Sequence, residues 1–116
     1  MPIGLTDFAC MNCSSTGTGT ITLNAAVAGF QSFAAAGIVD QQLVSYGIQD
    51  ATNTWEYGRG TYTASGTTLT RNPIISSSGV ATAISITSAA QVYVTQLAED
   101  MNHIQYVTHA ALGGLI

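Results

Sequence analysis

The chain has 116 residues, which fits one small domain. It contains two Arg and no Lys against six acidic residues, so 7% of its side chains are charged, compared with about 25% in an average soluble protein. Two cations cannot neutralise a run of phosphates. The composition therefore argues against binding to nucleic acid or to an anionic membrane surface.

The first fifteen residues show no sustained hydrophobic period, and we expect them to form an N-terminal arm or an irregular edge. No basic stretch precedes an apolar one here, so no signal peptide is expected. The longest apolar runs of the chain reach seven residues, counting Gly, whereas a membrane-spanning helix needs about 20. The sequence thus predicts no transmembrane segment.

The domain is expected over residues 16–96, as a series of short strands. Residues 18–23 alternate Thr with Gly, Ile and Leu, which is typical of a half-buried strand. Residues 24–39 are rich in Ala and Gly. We expect a strand with loops there, because Gly29 and Gly37 argue against a continuous helix.

The centre of the chain predicts a meander of three strands. Residues 44–48 place their apolar side chains on one face, and residues 55–62 form the next strand after a polar turn. Residues 67–71 return as the third strand after a turn that contains Gly66. The two turns make each neighbouring pair of strands antiparallel.

The predicted sheet resumes after Pro73, which bars a central strand at its own position because it lacks a ladder N–H. Apolar residues alternate at Ile84 and Ile86 and again at Val92 and Val94, so we expect a final hairpin there. Short strands separated by turn signals predict an all-β fold, either an antiparallel sandwich or a barrel-like domain.

The end of the chain has a different period. Leu97, Met101 and Ile104 recur at helical spacing, which predicts a C-terminal amphipathic helix and tail over residues 97–116. Met101 and Ile104 lie on its apolar face. We expect these two side chains to contact a partner.

The most tempting chemical motif is Cys10-x-x-Cys13. Zinc takes four ligands in structural sites, and the remaining candidates, His103 and His109, are six residues apart and fall on different sides of a helix. Cys10 and Cys13 are thus the candidate ligands of an incomplete set. We expect no metal and no cofactor.

No catalytic constellation is visible in the sequence. Glu99 and Asp100 are adjacent, so on a helix they diverge by about 100° and cannot hold one substrate together. Neither His accompanies a nucleophile motif of the Gly-x-Ser-x-Gly kind. We therefore expect a protein without enzymatic activity.

Aromatic residues concentrate in the central hairpin, at Tyr46, Trp55, Tyr57 and Tyr62. Such a cluster either packs across strands or presents a face that grips a sugar ring or a receptor. Both interpretations stay open. On the second, Trp55, Tyr57 and Tyr62 are the contact residues.

The predicted sheet lacks the usual protection of its edges. Lys, Pro and bulges normally keep edges from pairing, and this chain has no Lys and two Pro. Neutral strands with 16 Thr and many small residues in the chain suit close contacts between subunits. We therefore expect open edges that meet neighbouring subunits, with Thr20 and Thr22 among the contact residues.

Five runs of the sequence together carry a resemblance to a known family: residues 16–23, 29–37, 55–62, 65–71 and 92–95. Their most specific part is the string Trp-Glu-x-Gly-x-Gly-Thr-Tyr followed by Ser-Gly-Thr-Thr-Leu. Over roughly residues 16–97 the sequence resembles a small β module of tailed-bacteriophage and prophage virion proteins.

The resemblance implies a non-enzymatic structural protein of the virion. A short chain without a fibre shaft favours a capsid-decorating, or cement, role, with copies of itself and the major capsid protein as partners and with neither nucleic acid nor membrane. Two alternatives remain: an adaptor at the tail or the fibre base, and a carbohydrate- or receptor-binding module that uses the aromatic hairpin.

Overall fold

The computed structural model of the chain describes residues 3–51, 53–98 and 100. Within them nearly all regular structure is antiparallel β-strand, and the prediction of an all-β fold is confirmed. The elements in chain order are β1 (Cys10–Cys13), β2 (Ile21–Ala26), α1 (Phe33–Ala36), β3 (Leu43–Gln49), β4 (Trp55–Thr63), β5 (Thr68–Leu69), β6 (Pro73–Ser76) and β7 (Gln91–Val94).

The hydrogen bonds between strands close into a ring. The order is β3-β7-β1-β2-β5-β4, and β4 pairs back with β3, while β6 pairs with β4 alone. Each of the six ring strands thus has a neighbour on both sides, and closure of this kind removes sheet edges. The expectation of several open edges is therefore wrong for these six strands.

The predicted meander is present. β3 and β4 pair along the whole of β3, and the turn between them places Asn53 at φ 63°, a left-handed conformation that Asn tolerates better than most residues. β4 then turns into β5, with Tyr62 opposite Leu69. Local turn chemistry is enough to specify this part of the fold.

The expected N-terminal arm instead supplies a strand of the ring. β1 lies between β2 and β7, and Cys10, Met11 and Cys13 are all buried. Met11 and Cys13 are two residues apart, so both side chains point to the same side of β1 and enter the core. Cys10, next to Met11, is buried as well, so the strand shows no alternation of apolar and polar residues in the sequence.

Residues 24–39 also differ from expectation, because one helical turn, α1, follows β2. The Ser32 side chain caps its first turn by accepting a hydrogen bond from the N–H of Ala35 at 3.1 Å, and Gly37 ends the turn at φ 115°. Phe33 is fully buried. The prediction of a strand with loops is therefore wrong for α1.

The expected final hairpin is also wrong. Ile86 makes an isolated bridge with Gly17, and β7 pairs with β1 and β3 rather than with the preceding segment. Thr87 donates its N–H and its hydroxyl to the carboxylate of Asp50, at 2.7 and 2.8 Å. These bonds fix the segment before β7 to the β3–β4 turn.

Pro73 begins β6, the strand with one partner among the described residues. This position agrees with the expectation that Pro73 bars a central strand, since an edge strand does not need every ladder N–H. The open edge of the described sheet thus begins with Pro73, which has no N–H to donate to a further strand.

The core fills the inside of the ring. Tyr46 and Phe33 are its largest fully buried side chains, accompanied by Ile21, Ile48 and Leu69. Full burial of an apolar side chain of this size contributes roughly 1.5–3 kcal/mol. Tyr46 and Ile48 lie on the face that the alternation of residues 44–48 predicts.

The predicted C-terminal helix lies mostly outside the described residues, and Met101 and Ile104 lie outside them as well. At its start, the N–H of Asp100 donates to the carbonyl of Leu97 at 3.0 Å, and the Asp100 carboxylate accepts from the N–H of Leu97 at 2.9 Å. This reciprocal pattern is one half of a capping box, which is typical of a helix N-terminus.

Candidate interaction faces

A buried ion pair links β4 to the segment between β5 and β6. Arg71 holds Glu56 with two N–H groups, Nη2 to Oε1 at 2.6 Å and Nε to Oε2 at 3.2 Å, and their side chains are 2% and 0% exposed. The hydroxyl of Tyr46 donates to Oε2 at 2.7 Å, and the N–H of Ile84 donates to Oε1 at 2.9 Å. Burial and the bond to Glu56 raise the pKa of Tyr46, which keeps it a donor.

A second ion pair joins Arg59 on the outer side of β4 to Asp100. The other carboxylate oxygen of Asp100 accepts from the hydroxyl of Ser45 at 2.7 Å and from the N–H of Leu97. Burial by itself raises the pKa of Asp100, but the hydrogen bonds, that from Arg59 foremost, outweigh burial and hold the pKa below its ordinary 3.8. One carboxylate therefore ties the start of the C-terminal segment to β3 and β4.

Asp100→Asn is expected to lower the free energy of unfolding by about 2 kcal/mol at neutral pH, because hydrogen bonds to a charged group are lost. Since folding lowers the pKa of Asp100, its contribution is present above the unfolded value and is lost as the pH falls through the folded value. Urea unfolding from pH 7 down to pH 2 checks this. The gap between the two proteins should narrow below about pH 4, and a gap that widens in acid contradicts the assignment.

The two ion pairs use every Arg and Lys side chain of the protein, because the sequence has two Arg and no Lys. Arg71 is withdrawn from the surface, and Arg59 is held by a carboxylate. The described surface therefore offers a partner no Arg or Lys side chain that is free of an ion pair.

The outer side of β4, β3 and β7 carries a group of uncharged side chains. Gln49 is paired with Trp55 on one side and with Gln91 on the other, and in the next row Gly47 is paired with Tyr57 and Tyr93. Paired residues project from the same side of a sheet. We call this surface the aromatic face, defined by Trp55, Tyr57, Gln49, Gln91 and Tyr93.

The predicted aromatic cluster divides between the two sides of the sheet. Trp55, which is 42% exposed, stacks on Tyr57 with ring centroids 6.0 Å apart and an interplanar angle of 8°. Tyr62 is 3% exposed, and its ring lies 6.1 Å from that of Phe33 in the core. The prediction of Tyr62 as a contact residue is therefore wrong, because even-numbered residues of β4 face inward.

Gly47 makes room for Tyr93 on the aromatic face. A Cβ atom at position 47 would lie 2.5 Å from two carbons of the Tyr93 ring, so the ring lies directly over the glycine. Burial raises the pKa of Tyr93. Tyr93 therefore stays uncharged at neutral pH and continues the row of aromatic rings that begins at Tyr57.

An open depression of about 400 Å³ adjoins the aromatic face, and we call it the Phe8 groove. The sequence predicts only part of this groove. The outward direction of Gln91 and Tyr93 follows from the burial of Val92 and Val94 between them, but no pattern signals Phe8. The lining side chains include Phe8, Phe30, Tyr93, Gln49, Gln91 and Asp7.

Cys10 and Cys13 are free thiols in different surroundings. Cys13 belongs to the core, where its Sγ lies 3.5 Å from the carbonyl oxygen of Thr87, whereas Cys10 lines the Phe8 groove. Burial raises the pKa of both thiols. Over residues 3–51, 53–98 and 100, no three His, Cys, Asp or Glu side chains are grouped so as to hold a metal ion.

The predicted contact residues Thr20 and Thr22 lie across the ring from the aromatic face, because β2 is three strands from β3 in either direction. Thr20 is exposed, and Thr22 is half-buried and paired with Thr68 of β5. We call this surface the threonine face, defined by Thr20, Thr22 and Thr68. β2 and β5 are each paired on both sides, so the threonine face presents no open strand edge.

The fold and its surfaces define an all-β protein with two uncharged outer faces on opposite sides of a strand ring. Searches of family models, curated proteins and solved structures found no match to the chain. In the part of the chain that the structure describes, no helix has the length and apolar character needed to cross a membrane.

Proposed function

We propose that the chain is a non-enzymatic structural protein of a tailed-bacteriophage virion, with a barrel-like β domain that decorates the capsid. Its partners are copies of itself and the major capsid protein. The proposal rests on the resemblance of residues 16–97 to virion β modules. The structural observations that carry it are the commitment of both Arg side chains to ion pairs and the uncharged residues Thr20, Thr22 and Thr68 that define the threonine face.

An uncharged surface of this kind suits a contact that is repeated many times over a shell. Burying an unpaired charge costs several kcal/mol, whereas a Thr side chain has little rotamer freedom to lose. The centres of protein interfaces are accordingly poor in charged residues. The residues that define the threonine face are uncharged and have little rotamer freedom, so this face suits such a contact without an open strand edge.

The same observation argues against nucleic acid as a partner. Arg71 is 2% exposed, and its guanidinium also donates to backbone carbonyls, including that of Ile84 at 2.6 Å. Arg59 is bound to Asp100. Neither side chain is available to a phosphate backbone, which supplies most of the non-specific affinity for nucleic acid.

The proposal is tested on virions purified from the phage or prophage that encodes the chain. Quantitative mass spectrometry should find hundreds of copies per particle, and electron cryomicroscopy should locate them on the head. Six or twelve copies at the neck would favour the tail or fibre-base adaptor instead. Absence from the particle would contradict both.

A pair of Lys variants tests which side of the domain faces the shell. Thr20→Lys places a charge on the threonine face and is expected to lower occupancy on the particle at least tenfold, while the thermal unfolding midpoint stays unchanged. Trp55→Lys places the same charge on the opposite side and should leave occupancy intact. The reverse result would show that the shell contacts the aromatic face.

A further inference from the structure

The Phe8 groove has a wall that is held in place by the backbone. Gln31 donates its N–H to the carbonyl of Phe8 at 2.7 Å and accepts from the N–H of Cys10 at 3.0 Å. Its side-chain amide donates to the carbonyl of Asp7 at 3.1 Å. Three hydrogen bonds thus fix the loop that carries Phe8.

Phe8 itself is in an unusual conformation. Its φ is 56°, in the left-handed region that an aromatic residue rarely adopts, and its side chain is 71% exposed. The ring lies 6.2 Å from that of Phe30, which is 45% exposed. A strained backbone that presents an apolar ring to solvent contributes nothing to the core, and such strain is concentrated at binding sites.

The groove also holds two amides without partners. Gln49 and Gln91 are directly opposed on β3 and β7, both are exposed, and neither side chain makes a hydrogen bond within the described residues. Each amide offers an acceptor oxygen and two donor hydrogens. Two adjacent amides beside aromatic rings can therefore bind neighbouring hydroxyl groups.

Charge limits the class of ligand. Among the described residues, Asp7 is the acidic residue that lines the groove and no cation lines it, while Arg59 is held by Asp100. A phosphate, sulfate or carboxylate group would meet a carboxylate with no counter-charge. The lining favours an uncharged, hydroxyl-rich molecule, since Asp7 can accept hydrogen bonds from hydroxyl groups.

We propose that the Phe8 groove binds a neutral sugar of a polysaccharide, with a pyranose ring against the aromatic side chains and hydroxyl groups bonded to Gln49 and Gln91. The volume of about 400 Å³ lies within the range of small-molecule sites, roughly 300–1,000 Å³. Trp55, which stacks on Tyr57, is paired across the sheet with the lining residue Gln49, so a longer chain can reach the stack. This site is separate from the threonine face, so it does not depend on the proposed place in the virion.

The test uses the full chain, labelled with ¹⁵N, and neutral oligosaccharides as probes: maltohexaose, cellohexaose, mannohexaose and galactohexaose. At least one is expected to shift the side-chain amide signals of Gln49 and Gln91 in a saturable titration. A galacturonic acid hexamer, which is acidic, should bind at least tenfold more weakly. Absence of any shift with all four neutral probes, or tighter binding of the acidic one, would overturn the proposal.

Variants separate binding from folding. Gln49→Leu and Gln91→Leu should each weaken the active probe about fivefold to tenfold, which corresponds to the loss of about one hydrogen bond. Phe8→Gly should abolish binding without lowering the thermal unfolding midpoint, because Gly accepts the positive φ. Leu43→Ala and Val80→Ala, at exposed positions outside the groove, are the controls.

Two results would contradict the assignment. If the control variants lost as much binding as the groove variants, the sugar would bind elsewhere on the protein. Groove variants that leave saccharide binding intact but detach the chain from virions would show that the groove is a protein contact. Failure of the virion proposal alone, by contrast, leaves the titration of the isolated chain unaffected.

Discussion

Replacing Glu56 by Gln is expected to lower the free energy of unfolding by about 3–5 kcal/mol. The substitution leaves the guanidinium of Arg71 buried without a counter-charge, at 2% exposure. It also replaces one of the carboxylate oxygens that accept hydrogen bonds from Tyr46 and Ile84. Urea unfolding measures the change, with the fluorescence of Trp55, the single Trp of the chain, as the signal.

A double variant separates two contributions to the free energy of unfolding: the cost of an unpaired buried charge and the net contribution of the ion pair. Glu56→Leu combined with Arg71→Met removes both charges, and we expect it to be more stable than Glu56→Gln, because apolar side chains often replace a buried pair at little cost. If Glu56→Gln unfolds within about 1 kcal/mol of the unsubstituted protein, the buried pair does not have the role assigned to it.

Gly60→Ala is expected to cost at least about 3 kcal/mol or to prevent folding, since overpacking against backbone leaves little room for relaxation. A Cβ atom at this position would collide with the carbonyl oxygen of Thr70 on the neighbouring segment, and one at Gly58 would collide with that of Asn72. Both obstacles are backbone atoms. The same unfolding experiment measures the effect, and Gly58→Ala should behave alike.

Gly19→Ala is the matched control for these two variants. An added Cβ at position 19 meets nothing within 4 Å, and its backbone does not need glycine. We expect a change of no more than about 0.5 kcal/mol. If Gly60→Ala were as mild as Gly19→Ala, the close approach of the two backbone segments would be disproved.

These contacts explain the spacing of the string at residues 55–62. Its odd-numbered residues, such as Trp55 and Tyr57, face outward, while Glu56 supplies the buried carboxylate and Tyr62 the core ring. The two inward glycines allow the neighbouring segment to cross closely. The string that carries the resemblance is therefore also a packing pattern.

Local pattern was sufficient where neighbours in the sequence are neighbours in the sheet. The alternation of residues 44–48 and the following polar turn predict the β3–β4 hairpin, and the structure contains it. β1 escaped prediction because both of its sides are buried, with Cys10 on one side and Met11 and Cys13 on the other, so its four residues show no alternation. The helical turn α1 escaped because its two caps, Ser32 and Gly37, specify four residues in a stretch with no helical period.

The Phe8 groove could not be predicted from the sequence for a different reason. Gln49 and Gln91 become neighbours only because β7 pairs with β3, a choice that no local signal makes. The exposure of Phe8 depends on a backbone angle that is not typical of its residue type. Non-local pairing and local strain are the two features that periodicity does not report.

Closure of the ring places a constraint on biosynthesis. β7 pairs with both β1 and β3, so two ladders form only after the last strand of the described chain has left the ribosome. Until then the earlier strands hold unsatisfied backbone groups, and folding must wait for contacts between distant parts of the chain. Once assembled, no single ring strand can be pulled out of the domain without rupturing two rows of hydrogen bonds at the same time.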